Sequence, residues 1–258
     1  ISQIGDNARA RIEQENTNAG GLTNVASISQ ISSGLAQTPP NGIPSSFSLN
    51  GRIIQSGGSD NQSFINQSGD PLPNPGSGFT ARNDQDGSGH RSTINQTGGD
   101  VSPFSDVNVD QSGSDNSSLV DQSGDGSIVN VTQSSSGNVS EVGQDGDSDV
   151  LDVIQSGMNN FSNVIRQGGS NNTALVDQSG DSNSSRIRQT GTDSEIDLFQ
   201  SGNNNDSDIR QRNSDQDADI FQTGSDNESF LLQSGDGNHA IVTQSGDGNI
   251  SNVTQDGS

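Results

Sequence analysis

The side chains with the most chemistry to offer in this sequence are primary amides on a fixed period. Gln111, Gln122, Gln133, Gln144 and Gln155 stand eleven apart, Gln167 follows after twelve, and the eleven-residue step resumes through Gln178, Gln189, Gln200, Gln211, Gln222, Gln233, Gln244 and Gln255. The series continues upstream, less evenly, as Gln96, Gln85, Gln67, Gln55, Gln30, Gln14 and Gln3. Six residues before alternate members sit Asn116, Asn138, Asn183, Asn205, Asn227 and Asn249. Each such amide carries two N–H donors and a carbonyl acceptor, so amides brought into a column at strand spacing bond one to the next. That is a chemistry of cohesion, not of turnover.

Other chemistries fit poorly. Cysteine is absent, which removes disulfides and thiolate metal sites. His90 and His239 are far apart in repeat count and have no partner legible in the sequence. A catalytic constellation needs a fixed pocket, and a core filled by repeating side chains leaves none, so no enzyme is expected. Asp145-Gly146-Asp147-Ser148-Asp149 opens like a calcium loop, but Val150 occupies the obligatory glycine position and Ser156 the bidentate glutamate position. The reading is therefore solvated acidic turns that attract calcium loosely, with no cofactor and no specific metal site. The net charge is −23 and all ten basic residues are Arg, a balance that repels nucleic acid and anionic membranes. No apolar run approaches the length of a membrane span.

Only 24% of the 258 residues are hydrophobic, a composition that on its own indicates disorder. The order lies in where the apolar residues fall. Two residues before each Gln from Gln14 onward, nineteen of twenty positions are Ile, Val or Leu, the exception being Asn83. Period-two alternation ending in a Gly-rich turn is a strand signal. Two strand classes alternate. One reads N-x-S-x-V-x-Q, with Ser118, Ser140, Ser185, Ser207, Ser229 and Ser251 in its Ser position. The other carries Val107, Val129, Leu151, Ala174, Ile196, Ala218 or Ala240 there.

This predicts an all-β fold: a two-sheet parallel β-solenoid of about ten 22-residue strand-turn-strand-turn repeats, one domain over residues 1–258, stacking into a cross-β fibre at about 4.8 Å per rung. Longer spacings predict edge-loop insertions at 15–23, 31–48, 68–78 and 97–104, and all seven prolines fall in the last three. The extra residue between Gln155 and Gln167 predicts a bulge near Ile165 and Arg166. Arg166, Arg188 and Arg210 are expected to form an outward column, and Phe199 and Phe221, near Ile154 and Leu175, a second on the other sheet. That second column is the candidate lateral contact between filaments.

These residues resemble the curlin repeat of bacterial curli fibres, S-x5-Q-x-G-x-x-N-x-A-x3-Q. Ser194, Gln200, Gly202, Asn205, Ser207 in the Ala position and Gln211 follow it, and segments 105–122, 127–144 and 238–255 fit similarly. The resemblance implies a functional-amyloid subunit, secreted across the outer membrane and nucleated at the cell surface. Such a subunit forms extracellular biofilm matrix, with further copies of itself, a surface nucleator and the outer-membrane secretion machinery as partners. The chain departs from the better-known subunits in its larger number of repeats, its lack of Tyr and the absence of a recognisable secretion segment. Ile1 to Gln3 reads as the tail of an earlier strand, as in a mature or truncated form. The last repeat is as regular as the internal ones, which predicts head-to-tail polymerisation. The alternative is a monomeric calcium-stabilised β-solenoid acting as a binding or passenger module.

Overall fold

Alternating small, aliphatic and amide side chains suit a strand whose one face is buried, and a parallel neighbour with the same alternation buries it again. The computed structural model describes residues 1–4, 8–15, 23–32, 48–70, 78–99 and 104–257. A short β1 (Ser2–Ile4) precedes ten strand pairs. The first five pairs are β2 (Ala8–Gln14) and β3 (Val25–Ser32), β4 (Ser48–Ser56) and β5 (Gln62–Asp70), β6 (Gly78–Ser88) and β7 (Arg91–Gly99), β8 (Ser105–Ser114) and β9 (Ser117–Gln122), and β10 (Ile128–Gln133) and β11 (Val139–Gln144). The second five are β12 (Val150–Gln155) and β13 (Phe161–Ser170), β14 (Thr173–Ser179) and β15 (Ser184–Thr192), β16 (Glu195–Asn203) and β17 (Asp206–Ser214), β18 (Asp217–Ser225) and β19 (Glu228–Ser234), and β20 (His239–Ser245) and β21 (Ile250–Asp256).

Odd-numbered strands form an 11-stranded sheet and even-numbered strands a 10-stranded sheet, in sequence order. The pairings are parallel and set Gln opposite Gln, as in Gln111 with Gln133 with Gln155. Such a sheet cannot slip by one residue without turning its aliphatic column to solvent. The fold is thus the expected all-β, two-sheet parallel solenoid, and no described helix is long and apolar enough to cross a membrane.

The main core is a file of aliphatics, contributed mainly by Ile and Val two residues before each Gln and by the Val, Leu or Ala of the even strands, beside a small second cluster of Leu49 and Phe79. Asn83, the exception in that column, is fully buried and donates from Nδ2 to Ser63 Oγ at 2.5 Å. Register shifts on β13 between Val164 and Arg166, opposite the unbroken β15, so the bulge falls where the extra residue placed it.

The interiors of the four insertions lie outside the described residues. Their margins differ from expectation, since β3, β5 and β7 run past their Gln to 32, 70 and 99, while β4 and β6 begin at 48 and 78. The reason is that residues just after Gln pair with their equivalents on the next rung, as Ser68 with Thr97 and Gly69 with Gly98. Seven turns elsewhere close on Asn or Asp: Asp115, Asn159, Asn171, Asp193, Asn204, Asp215 and Asp226 all have φ between 53° and 58°, while Ser148, Ser182 and glycines such as Gly126 and Gly137 hold the same place in others. Asn and Asp are the non-glycine residues that tolerate this left-handed conformation best.

Candidate functional site

Strand register brings every Gln of the series onto the Gln of the next rung. On the 11-stranded sheet, Nε2 of each Gln donates to Oε1 of the next without interruption from Gln3 through Gln30, Gln67, Gln96, Gln122, Gln144, Gln167, Gln189, Gln211 and Gln233 to Gln255, at 2.7–3.0 Å. On the 10-stranded sheet the same chain runs from Gln14 through Gln55, Gln85, Gln111, Gln133, Gln155, Gln178, Gln200 and Gln222 to Gln244, at 2.6–2.9 Å.

The second amide hydrogen crosses between the sheets. Gln189 donates to Thr173 O at 3.0 Å, Gln200 to Ser184 O at 2.9 Å and Gln211 to Glu195 O at 2.9 Å. Each buried Gln amide of the two ladders is therefore satisfied, the condition under which a polar core is tolerable. All the amides point the same way along the axis, which gives the ladder a polarity.

The Asn column works differently. Oδ1 of each Asn accepts the backbone N–H of its equivalent on the next rung: Asn116 from Asn138 (2.9 Å), Asn138 from Asn160 (2.9 Å), Asn160 from Asn183 (2.9 Å), Asn183 from Asn205 (3.0 Å), Asn205 from Asn227 (3.1 Å) and Asn227 from Asn249 (3.0 Å). Nδ2 meanwhile donates to turn carbonyls, as Asn138 to Ser134 O and Gly157 O, both at 2.7 Å. The column thus pins the turns, while the Gln columns join the rungs.

Two members of these columns escaped the sequence reading. His90, for which the sequence shows no partner, fills the Asn position of its rung and is fully buried. Its N–H bonds to Asn61 Oδ1, its Nδ1 accepts from Asn116 N, and its Nε2 faces Asp86 O at 3.2 Å. That network selects the neutral imidazole with its proton on Nε2, and burial lowers the pKa below the usual value. Counting six residues back from Gln96 would have found it.

Six residues back from Gln155 stands Asp149, the equivalent position of the 10-stranded sheet, also fully buried. Oδ1 accepts from Asn172 N at 2.7 Å, but Oδ2 has no partner. Burial, and secondarily Asp147 and Asp145, push its pKa up to about 6. The acidic turn is therefore partly an inward position. Among the described residues no group of three or more His, Cys, Asp or Glu is placed to hold a metal ion.

Outward expectations need two corrections. His239 is also partnered, by Asp217 Oδ2 at 2.7 Å. The Phe199 and Phe221 rings stack with centroids 5.3 Å apart, but Asp177 separates them from Ile154 in the same column, so the apolar strip is a pair and not a stripe. Arg188 and Arg210 are in register; Arg210 binds Asp208 at 2.8 Å and lies 5.5 Å over the Phe230 ring, which relieves the stacked charge.

In the Ser column, Oγ of Ser92, Ser118, Ser140, Ser162, Ser185 and Ser229 is buried without a partner. A hydroxyl that bonds nothing contributes only its desolvation cost. Ser185→Ala is therefore expected to leave stability within about 0.5 kcal/mol or raise it by up to about 1 kcal/mol, read by urea denaturation.

The family model for the curlin associated repeat matches four segments, 105–134, 164–191, 214–246 and 224–257. No curated protein sequence matches the chain. Each matched segment spans strands whose Gln and Asn or Ser positions are the columns described above, so the motif and the ladder are one feature seen in sequence and in space. The chain carries the curlin associated repeat in these four segments, which supports the curlin-repeat family.

Proposed function

We propose that the protein is the structural subunit of an extracellular curli-like amyloid fibre and adds copies of itself head to tail. The observation that carries this reading is the polarity and uniformity of the two Gln ladders. The step from one rung to the next is the same at every rung, so a strand of a second copy can make it as well as a strand of the first. The curlin associated repeat supports the same conclusion, since its family is one of extracellular fibre-forming proteins. In this reading the partners are further copies of the chain, a surface nucleator and the outer-membrane secretion machinery, and the fibres contribute to biofilm matrix. The acidic turns hold calcium only diffusely, and no catalytic step is involved.

Cryo-electron microscopy of the desalted protein, with and without calcium, tests it. Fibres in both conditions with a rung repeat of about 4.8 Å along the axis are the expected result. Monomers that fold only with calcium overturn it in favour of a calcium-stabilised binding module.

A second test concerns the growing edge. Val253 packs against the core on β21, the outermost strand of its sheet, whereas Asp256 is exposed. Val253→Asp is expected to slow seeded elongation at least tenfold, while Asp256→Asn leaves it within twofold. Equal rates for the two variants count against end-on addition.

A further inference from the structure

The outer face of the 10-stranded sheet is divided by charge. Of the ten Arg in the chain, Arg9, Arg11, Arg52 and Arg82 lie on its first three strands, β2, β4 and β6, and the other six belong to strands of the 11-stranded sheet. Arg11, Arg52 and Arg82 are in direct register, one above another. Arg11 pairs with Glu13, and Arg82 with Asp84 and, at 3.7 Å, with Asp110. Arg52 has no carboxylate within ion-pair distance among the described residues, and its Nε is buried without a partner. Against these four Arg stand three carboxylates on the same strands, Glu13, Asp84 and Asp86, so this end of the face has one positive charge to spare, and like charges stacked on neighbouring strands repel.

The other end has the opposite surplus. On β16 and β18, Glu195 stacks on Asp217 and Asp197 on Asp219, four carboxylates with no Arg on those strands, of which Asp217 meets His239 on β20. Burial, together with this mutual repulsion, raises the pKa values of Glu195 and Asp197. Each end therefore lacks what the other offers, and within one chain the two are separated by the strands between β6 and β16.

We propose that a second copy of this chain lies antiparallel across this face, its acidic eighth and ninth strands against the Arg-bearing second and third strands of the first. A two-fold axis along the strand direction sets each strand of the ten against its counterpart counted from the far end. Under that operator Arg52 on β4 meets Asp219 on β18, and Arg82 on β6 meets Asp197 on β16. Symmetry makes each contact twice. The same operator sets Ile54, one residue before Gln55, against Phe221, one residue before Gln222, which gives that ring an apolar partner, while Phe199 meets Asp84. The poorest meeting is Asp110 with Asp177, so the contact is strongest toward its two ends. In the fibre reading above, on which this rests, the pairing joins neighbouring filaments side by side.

The test is a charge swap, scored on negatively stained filaments and by sedimentation velocity on soluble protein. Arg52→Glu with Arg82→Glu in one variant, and Asp197→Arg with Asp219→Arg in another, are each expected to cut the fraction of paired filaments at least tenfold. An equal mixture of the two restores it. The carboxylate introduced at position 52 then faces the guanidinium introduced at position 219, while the native Arg52 and Asp219 still meet across the same interface. Wild-type pairing is expected to weaken in 0.5 M salt as the charges are screened. Pairing that persists in both variants, or a mixture that stays unpaired, overturns the proposal. Single filaments in the wild type sink this contact and leave the fibre reading intact. If no filaments form, the fibre reading fails, and the soluble swap pair still decides the contact by whether the mixture, and neither variant alone, sediments as a dimer.

Discussion

Gly180→Ala is expected to destabilise the solenoid by more than about 3 kcal/mol, whereas Gly246→Ala is expected to leave the subunit folded and stop it from adding a neighbour. The two glycines hold the same place in the turn, two residues after Gln178 and Gln244. Both have φ in the left-handed region, 108° and 92°. They differ in what lies above. A Cβ on Gly180 would come within 2.1 Å of the Gly202 carbonyl oxygen and 2.9 Å of its carbon and nitrogen, all backbone atoms held by the ladder. Nothing flexible can give way, so the rungs at β14 and β16 must part at that turn. A Cβ on Gly246 meets only Asn249 Nδ2, at 4.0 Å. Its cost to the free subunit is the φ strain alone, about 1–2 kcal/mol. In a fibre the turn of an added rung would stand there, as Gly246 itself stands 2.3 Å from the place a Cβ on Gly224 would take. The checks are urea denaturation for the first variant and seeded elongation for the second, with circular dichroism confirming its fold. If Gly246→Ala elongates at the wild-type rate, rungs do not add at this edge.

How much of this was legible in the sequence follows from how the ladders are specified. Gln and the aliphatic two residues before it recur at one fixed spacing, so the strands, the two sheets, the rung count and the bulge after Val164 could be read by counting. Occupants that break the residue type without breaking the spacing were harder. His90 and Asp149 sit in the ladder position six before a Gln, but as a histidine and an acid they attract functional readings first. Their burial follows from the position, not from the residue type. Contacts between outward columns were less legible still. Phe199 stacks on Phe221 because β16 and β18 are neighbours in register, but the gap to Ile154 appears only when Asp177 is placed between them. The charge division of the 10-stranded face likewise needs every strand assigned to its sheet.

Asp149→Asn is expected to remove a pH dependence of stability between about pH 4 and 6 and to stabilise the protein at neutral pH. In the Asn positions Nδ2 donates to turn carbonyls, as Asn172 does to Gly168 O at 3.3 Å and Gly191 O at 3.0 Å. At Asp149 an oxygen takes that place. A Cβ on Gly146 would lie 2.1 Å from Oδ2 and 2.7 Å from Gly169 O, so the carboxyl oxygen and the turn carbonyl crowd the same space. Ionised, it has nothing to donate there, and Asp147 and Asp145 add repulsion with no cation among the groups acting on it. Protonated, it can donate as an amide would. The folded state therefore holds the proton more tightly than the unfolded chain, with a pKa of about 6 against 3.8. Stability from this group is fully present below pH 3.8, falls as pH rises, and is gone above about 6; the difference is on the order of 2–3 kcal/mol. Asp110, Asp177, Glu195 and Asp197, all raised mainly by burial, act in the same direction. His90 acts oppositely, since its lowered pKa makes the folded state lose stability on acidification. The substitution isolates one carboxyl from that sum. Urea midpoints at pH 4.0 and 7.5, with hydrogen exchange at the Asn172 amide as the local probe, should show the variant ahead of the wild type only at the higher pH. A variant that keeps the wild-type pH profile would mean that Asp149 is ionised in the fold, with Oδ2 finding a partner in water or an ion.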